Sequence, residues 1–569
     1  MKRPRQNFHY NIYDNENFVV VSSIWQKKKN KKFQMKKIAF YIQPALLAII
    51  ACMASCTKKL DQKPTNDITA STVYSTPAGY KQALAKAYAA FALTGNTGGT
   101  GSPDIPQEII ADEGNSDFLR LYWNLQELTT DEASWTWQND AGVQGLHEMS
   151  WSSVNPIVGG VYYRSFFQIA LCNDFIRQSA DATITSKGFS SATVDSIRNY
   201  RAEARFLRAY QYWLLMDLFA NPPFVTENDA IGTVIPKQIQ RADLFSYIES
   251  ELKAIDGDLV KARGNEYGRA DQAAAWALLA RLYLNAKVYT GTDRYADAIT
   301  YASKVIGAGY KLHDKYRELM LADNNLNTDE FIFTINYDAT YTQNWGGTTY
   351  LVHGPAGVPG SISGTSGSWS GLRCTENFVG LFSDNSGNTD KRAQFYTTGQ
   401  NLKMNDLYTA ADGYSTTKFR NVTRSGGPAP HADPAGNWAD VDFPVFRLAE
   451  MYLIYAEAVL RGGSSGSSTT ALNYINELRT RAYGNTNGNI TAGQLTTDFI
   501  LDERGRELYY EMQRRTDLIR YGKFTGGSYL WAWKGGVKAG TSVADKYNTF
   551  PLPATDLSSN PNLKQTTGY

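Results

Sequence analysis

Histidine is scarce. The 569-residue chain has five, His9, His147, His313, His353 and His431, and no two lie near each other in sequence. Zinc motifs place cysteine and histidine at short fixed intervals, so no motif-based metal site is legible. Cysteine is equally rare, with only Cys52, Cys56, Cys172 and Cys374. Four cysteines in a chain of this length exclude a disulfide-dense scaffold. Whether Cys172 and Cys374 pair or stay as free thiols is left open by their spacing. HExxH, a nucleotide fingerprint and a strand-to-helix nucleophile elbow are also missing, and the Gly-rich stretch 95–106 has no GxxxxGK[ST] arrangement. These absences assign no catalytic, cofactor-binding or metal-ligating residue.

Long apolar runs are missing too. The longest informative stretch, Met35 to Cys56, reads MKKIAFYIQPALLAIIACMASC. Its apolar part, Ile38 to Met53, is interrupted by Gln43 and Pro44 and falls short of the ~20 residues of a membrane span. A basic start at Lys36-Lys37, an apolar centre and small residues before a cysteine form a bacterial export signal. The Ala54-Ser55-Cys56 ending resembles a lipoprotein box. That resemblance implies removal of residues 35–55 and acylation of Cys56. A transmembrane anchor is the alternative. An export signal begins at its basic residues, so Met35 is the expected start and residues 1–34 an upstream extension; a basic cytoplasmic tail is the alternative.

Loss of residues 1–55 reverses the charge. Ten of the 57 Lys+Arg and two of the 55 Asp+Glu go with them, leaving 47 against 53. The basic excess that a nucleic-acid partner needs is absent from the remainder. That remainder is long enough to bury a large core or several helical layers.

Helical periodicity marks most of the remaining chain. A polar tether, 56–69, leads to a helix opening at Pro77. Helical character continues over 154–176, 194–219, 241–259, 269–286 and 295–306. Alanines at small-large intervals in the last two let helices approach closely, resembling a degenerate tetratricopeptide repeat. Glu330 to Tyr337 reads as a strand. Asn344 to Leu372 is a long Gly/Ser/Trp loop of the kind that carries function. Thr375 to Phe382 reads as a short helix and 413–421 as strand-like. Phe443 to Leu460 keeps helical spacing, and Thr470 to Ala482 completes a second helix pair. The Pro-punctuated end, 546–569, is expected to strap across the body.

Aromatics are abundant, with 36 Tyr and 12 Trp. A pyranose stacks its apolar face on a flat ring while its hydroxyls bond to amides and carboxylates. Trp135, Trp137, Gln138, Asn139 and Asp140 bring both chemistries into one segment. Trp345, Trp369 and Trp438 are further ligand-binding candidates. Packing against long loops is the competing role for each ring. The densest charge set is Glu503, Arg504, Glu507, Glu511, Arg514, Arg515, Asp517 and Arg520. Glu507 and Glu511 are expected to share a helix face with Arg514 and Arg515 one turn on, where like charges need compensation. A structural ion network is the favoured reading, over the paired carboxylates of a glycoside hydrolase.

Taken in order, Ser55-Cys56, Ala202 to Ala209, Phe331-Ile332-Phe333, Pro444 to Ala458, Glu503 to Phe524 and Phe550 to Tyr569 resemble the SusD/RagB family of outer-membrane lipoproteins. The resemblance implies a mostly α fold with four tetratricopeptide-like helix pairs, irregular loop-rich segments and a few short strands. It makes residues 70–569 a single binding domain, with helical repeats at about 78–308 and 443–483 and a loop-rich region at about 309–442. It implies a non-enzymatic, lipid-anchored protein on the extracellular side of the outer membrane, without cofactor. Such a protein captures oligosaccharide, or in an alternative reading peptide, and acts as lid to a SusC-like TonB-dependent transporter.

Overall fold

A computed structural model describes residues 69–96, 98–100, 103–230, 232 and 234–569. The expected extension, signal, Cys56 and all of the tether but Thr69 lie outside the described residues. The chain divides into a unit ending at Tyr80 and a unit from Lys81 to Tyr569. In the first, Thr69 precedes a single helical turn, Ala70–Val73, and its hydroxyl bonds to Ser71 Oγ at 2.8 Å. Helix α1 (Pro77–Ala89) begins at the proline that needs no N–H donor there.

The second unit is a stack of helices with a long insertion. Helix α2 (Phe118–Glu127) is followed by α3 (Pro156–Gln178), which Asn155 caps by accepting the N–H groups of Ile157 and Val158. Helix α4 (Ser191–Phe219) packs on α3, and α5 (Arg241–Ala254) packs on α4. Helix α6 (Gln272–Leu284), capped by Asp271, then pairs closely with α7 (Tyr295–Ile306). Ala274, Ala277, Ala298 and Ala302 are fully buried, and their small side chains permit that approach. The stack continues only after the insertion, with α9 (Leu448–Leu460) lying on α7 and α10 (Ser468–Tyr483) on α9. Arg281 of α6 reaches Glu450 of α9 at 2.7 Å, tying the two halves together. The architecture is mostly helical with a few short strands, as the resemblance implies. No helix among the described residues is long and apolar enough to cross a membrane.

Among the described residues, four two-stranded antiparallel sheets punctuate the helices: β1 (Ser134–Trp135) with β5 (Leu372–Arg373), β2 (Pro223–Phe224) with β3 (Lys237–Gln238), β4 (Phe331–Ile335) with β8 (Phe443–Arg447), and β6 (Phe395–Tyr396) with β7 (Ser415–Thr416). The β4–β8 pair closes the insertion at both ends. Here the structure corrects the expectation of one helix over 443–460. Phe443, Pro444, Val445 and Phe446 are a buried apolar run that fits either period, and pairing with β4 decides for strand. Helix α8 (Gly347–His353) likewise interrupts the loop expected at 344–372; all seven of its residues are buried, so it shows no polar face.

The charged segment also departs from expectation. Helix α11 (Thr497–Leu508) stops before Glu511, and α12 (Arg514–Arg520) starts afresh. Between them Tyr510 and Met512 take left-handed φ values of 63° and 62°. Glu132 accepts the Tyr510 N–H at 2.9 Å and Glu127 that of Gln513 at 3.2 Å, which holds the strained turn. Glu507 and Glu511 therefore do not share a helix face; the compensation comes from elsewhere in the chain. Arg447 bonds Glu330, Glu507 and Glu511 at 2.9, 2.7 and 2.7 Å. Arg392 bonds Asp390 and Glu503, Arg514 bonds Asp131, Arg504 bonds Asp517, and Arg520 bonds Asp517 and Glu457. Arg515 lies 3.5 Å from Asp217. The C-terminal segment crosses the body: Phe550 N–H donates to Leu218 O at 2.7 Å and Trp151 Nε1 to the Tyr569 hydroxyl at 2.7 Å.

Candidate aromatic binding face

The β1–β5 pair builds one half of the site. Trp135 stands opposite Leu372, the Thr136 N–H donates to Gly371 O at 3.1 Å, and Thr136 Oγ1 donates to Ser370 O at 2.5 Å. The Trp135 ring lies against Gly371 so closely that a Cβ there would enter it. Trp135 is 1% exposed, and its Nε1 donates to Asp140 Oδ2 at 2.7 Å. This corrects the expectation for Trp135 as a stacking ring, whereas Asp140 stays partly exposed. Trp135 backs the face from beneath, and Asp140 is engaged in holding it. The strand ends at Trp135, and the next turn carries Trp137 out to 46% exposure, with Gln138 and Asn139 exposed beside it. The two rings remain in contact, with centroids 5.6 Å apart.

The insertion supplies the other half. Trp345 lies 4.2 Å from Trp438 and 6.1 Å from Trp369, ring centre to ring centre, tilted by 45° and 54°. Trp345 and Trp369 are half-buried; Trp438, at 8%, supports them from below. Trp369 stacks on His353 at 4.8 Å and 10°, and its N–H donates to His353 O at 2.7 Å. The ring nitrogens of His353 face Gly367 O and Asn437 O at 2.7 and 3.0 Å. Burial outweighs both acceptors and keeps the imidazole below its ordinary pKa. Because residues 369–371 lead directly into β5, the structure brings Trp369 beside the Trp135–Trp137 segment. Tyr350 of α8, from the insertion, packs beneath on Trp135 at 5.2 Å and on Trp123 of α2 at 5.6 Å.

Sequence reasoning missed Tyr341, whose ring is 80% exposed four residues before Trp345. Asp338 Oδ1 accepts the N–H groups of Thr340 and Tyr341, which shapes the turn and lifts the ring outward. An Asp three residues before an aromatic is its only trace in the sequence. The same loop belongs to the one group among the described residues with the spacing of a cation site: ligand atoms of Asp338, His431 and Asp440 lie within 4.8 Å of one another. Asp440 already accepts the N–H groups of Ala339 and His431 at 2.7 and 2.6 Å. Cys172 and Cys374 are both buried and free.

Comparison with known proteins settles the family. Residues 403–569 match the SusD family, and residues 118–284 match the family described as starch-binding associating with outer membrane. The starch-binding protein SusD of Bacteroides thetaiotaomicron is 36% identical, with 94% of this chain and 99% of that protein aligned. The chain belongs to the SusD family. A SusD-like protein of Bacteroides ovatus is 24% identical over 86% of this chain and 83% of its own length. Among solved structures, surface glycan-binding protein A from Bacteroides fluxus has a TM-score of 0.65 at 21% identity, covering 87% of this chain and all of that one. Its counterpart from Bacteroides thetaiotaomicron, solved with laminarihexaose, has a TM-score of 0.63 at 18% identity over 86% of this chain and 99% of its own. These two share the fold. In this SusD-family chain, Trp137 lies within the matched segment 118–284 and Trp438 within 403–569, whereas Trp345, Trp369 and Tyr341 lie between them. Trp345, Trp369 and Tyr341 thus belong to the inserted loops, which carry much of the aromatic face.

Proposed function

We propose that this chain is a glycan-binding protein and that a coiled α-glucan of the starch type is its ligand. The carrying observation is the tilt of 54° between the neighbouring, half-buried rings of Trp345 and Trp369. A sugar chain that stacks on successive tilted rings must curve, as α-1,4-linked glucans do and ribbon-like β-1,4-linked glucans do not. Trp137, Trp345, Trp369 and Tyr341 are the stacking rings in this reading, and Gln138 and Asn139 the hydroxyl partners. The name of the 36%-identical relative supports starch.

In this reading the carboxylates of the ion network are structural and do no chemistry on the glycan. A hydrolase acid needs a raised pKa. Glu507 is instead held at about 2: burial pushes it up, but Arg481, Arg447 and Arg392 outweigh that. Acylated at Cys56, the chain sits on the outer membrane facing outward and closes over a SusC-like TonB-dependent transporter. The outer-membrane description of the matched family and the lipoprotein box support this placement.

Titration of the mature chain with maltoheptaose, cellohexaose and a mixed peptide library tests the ligand. Binding is expected for maltoheptaose, with Trp345→Ala weakening it by at least about tenfold. Binding to peptides alone would reverse the ligand class. Equal affinity for both glucans would remove the argument from ring tilt.

A further inference from the structure

We infer that Glu113, Asp117 and Arg120 are positioning residues of this glycan site, a polar clamp that presets the Trp345 ring before ligand arrives. The inference rests on the proposed binding role and extends it to residues that touch no ligand.

All three grip one short stretch of backbone. Glu113 Oε2 accepts the Trp345 N–H at 3.1 Å, and Arg120 Nη1 donates to the Trp345 carbonyl at 3.1 Å. Trp345 is thus held by both of its backbone groups. Asp117 Oδ1 accepts the Gly347 N–H at 2.7 Å, fixing the first residue of α8, and also caps α2 through the Arg120 N–H at 2.8 Å. The other Glu113 oxygen accepts the Thr94 hydroxyl. Arg120 lies over the Tyr350 ring at 4.5 Å, so the clamp also touches the residue that backs Trp135. Two glycines let the strands of chain meet: a Cβ on Gly114 would lie 2.6 Å from Trp345 O, and one on Gly346 would enter Asp117 Cβ.

The clamp is kept at a cost. Asp117 Oδ2 and Arg120 Nε are buried without a hydrogen-bond partner. Burial lifts Asp117 to about 6 even with two N–H donors, and burial raises Glu113 too. Holding Trp345 by both of its backbone groups fixes its position in advance, and a ring ordered before binding loses less entropy on binding.

Glu113→Ala and Asp117→Ala are expected to weaken maltoheptaose binding about tenfold while unfolding stays cooperative. Asp117→Asn is expected to restore affinity to within about twofold, because its amide oxygen accepts the same two N–H groups. A ligand-free readout accompanies this: 5-fluorotryptophan NMR, with the Trp345 resonance assigned by its loss in Trp345→Phe. That resonance shifts or broadens in both alanine variants and returns in Asp117→Asn. If Asp117→Ala does not fold, Glu113→Ala decides. Wild-type affinity in the alanine variants, an unmoved resonance, or an asparagine variant as weak as the alanine overturns the clamp. A responsive resonance in a protein that binds no glycan overturns the binding role and leaves the clamp standing.

Discussion

Arg447 anchors the densest part of the ion network, and replacing it by methionine isolates what that network does. The side chain is 1% exposed and its guanidinium meets three carboxylates, Glu330, Glu507 and Glu511, each itself buried. Methionine keeps most of the apolar stem and deletes the charge. The Glu507 value indicates the scale. Burial alone raises it, yet Arg481, Arg447 and Arg392 bring it from 4.5 to about 2. That drop corresponds to about 3 kcal/mol favouring the charged form, shared among three cations. Glu511 is lowered as well, against burial, by Arg447 and Lys418. Removing a shared partner leaves buried carboxylates under-compensated, and such losses run to about 3–5 kcal/mol. The pH dependence is the sharper signature. In the wild type Glu507 contributes stability above its unfolded pKa, and that contribution is lost only as pH falls through about 2. In Arg447→Met the carboxylates take up protons more readily, so the deficit is largest at pH 7 and shrinks toward pH 4.5. Urea unfolding of both proteins at the two pH values measures it. A deficit below about 1 kcal/mol at pH 7, or one that does not shrink on acidification, would refute the assignment of the network as charge-compensated packing.

Gly371→Ala pushes a methyl group into the Trp135 ring and is expected to cost about 1–3 kcal/mol in thermal unfolding while also weakening glycan binding; an unchanged melting temperature would show that the β1–β5 contact is loose. Asp442 accepts the Tyr337 N–H and the Tyr267 hydroxyl, yet burial lifts it to about 7. A raised folded pKa stabilises below the unfolded value and is lost as pH rises through about 7, so Asp442→Asn should flatten the decline in stability between pH 5 and 8. Denaturation curves across that range check it, and a parallel decline in both proteins contradicts it. Burial pushes the Cys172 thiol up to about 12 and raises Cys374 also, so neither should react with a thiol reagent at pH 8 until the protein unfolds. Labelling of the folded protein would overturn their burial.

The helices most legible in the sequence are those with one apolar stripe and one polar face. Periodicity bounds Tyr295 to Ile306 to the residue and α10 to within two, and α4 and α6, though largely buried, are bounded to within a few by their small and large apolar residues at helical spacing. Helix α2 escapes for the opposite reason. All ten of its residues are buried, Arg120, Asn124 and Glu127 included, so no polar face betrays it. The break at 509–513 is equally silent in sequence, since the carboxylates that hold Tyr510 and Gln513 come from Glu132 and Glu127, nearly 400 positions away.

The binding face divides in the same way. Its chemistry is visible in the sequence: tryptophans beside amides and carboxylates, in loops without helical period. Which rings point outward is not. Trp135 and Trp137 are two residues apart, yet one is sealed under Gly371 and the other is half exposed, because the strand stops between them. Trp345 joins Trp369 and Trp438 only through the folding of the insertion. By itself the sequence determined the helical repeats, the clustering of charge at 503–520 and the aromatic character of the loops, since periodicity and composition depend on neighbouring residues. The tertiary structure decided which charges pair, where helices give way to strand, and which rings form the face. Those depend on contacts between segments far apart in the chain, and local pattern carries no record of them.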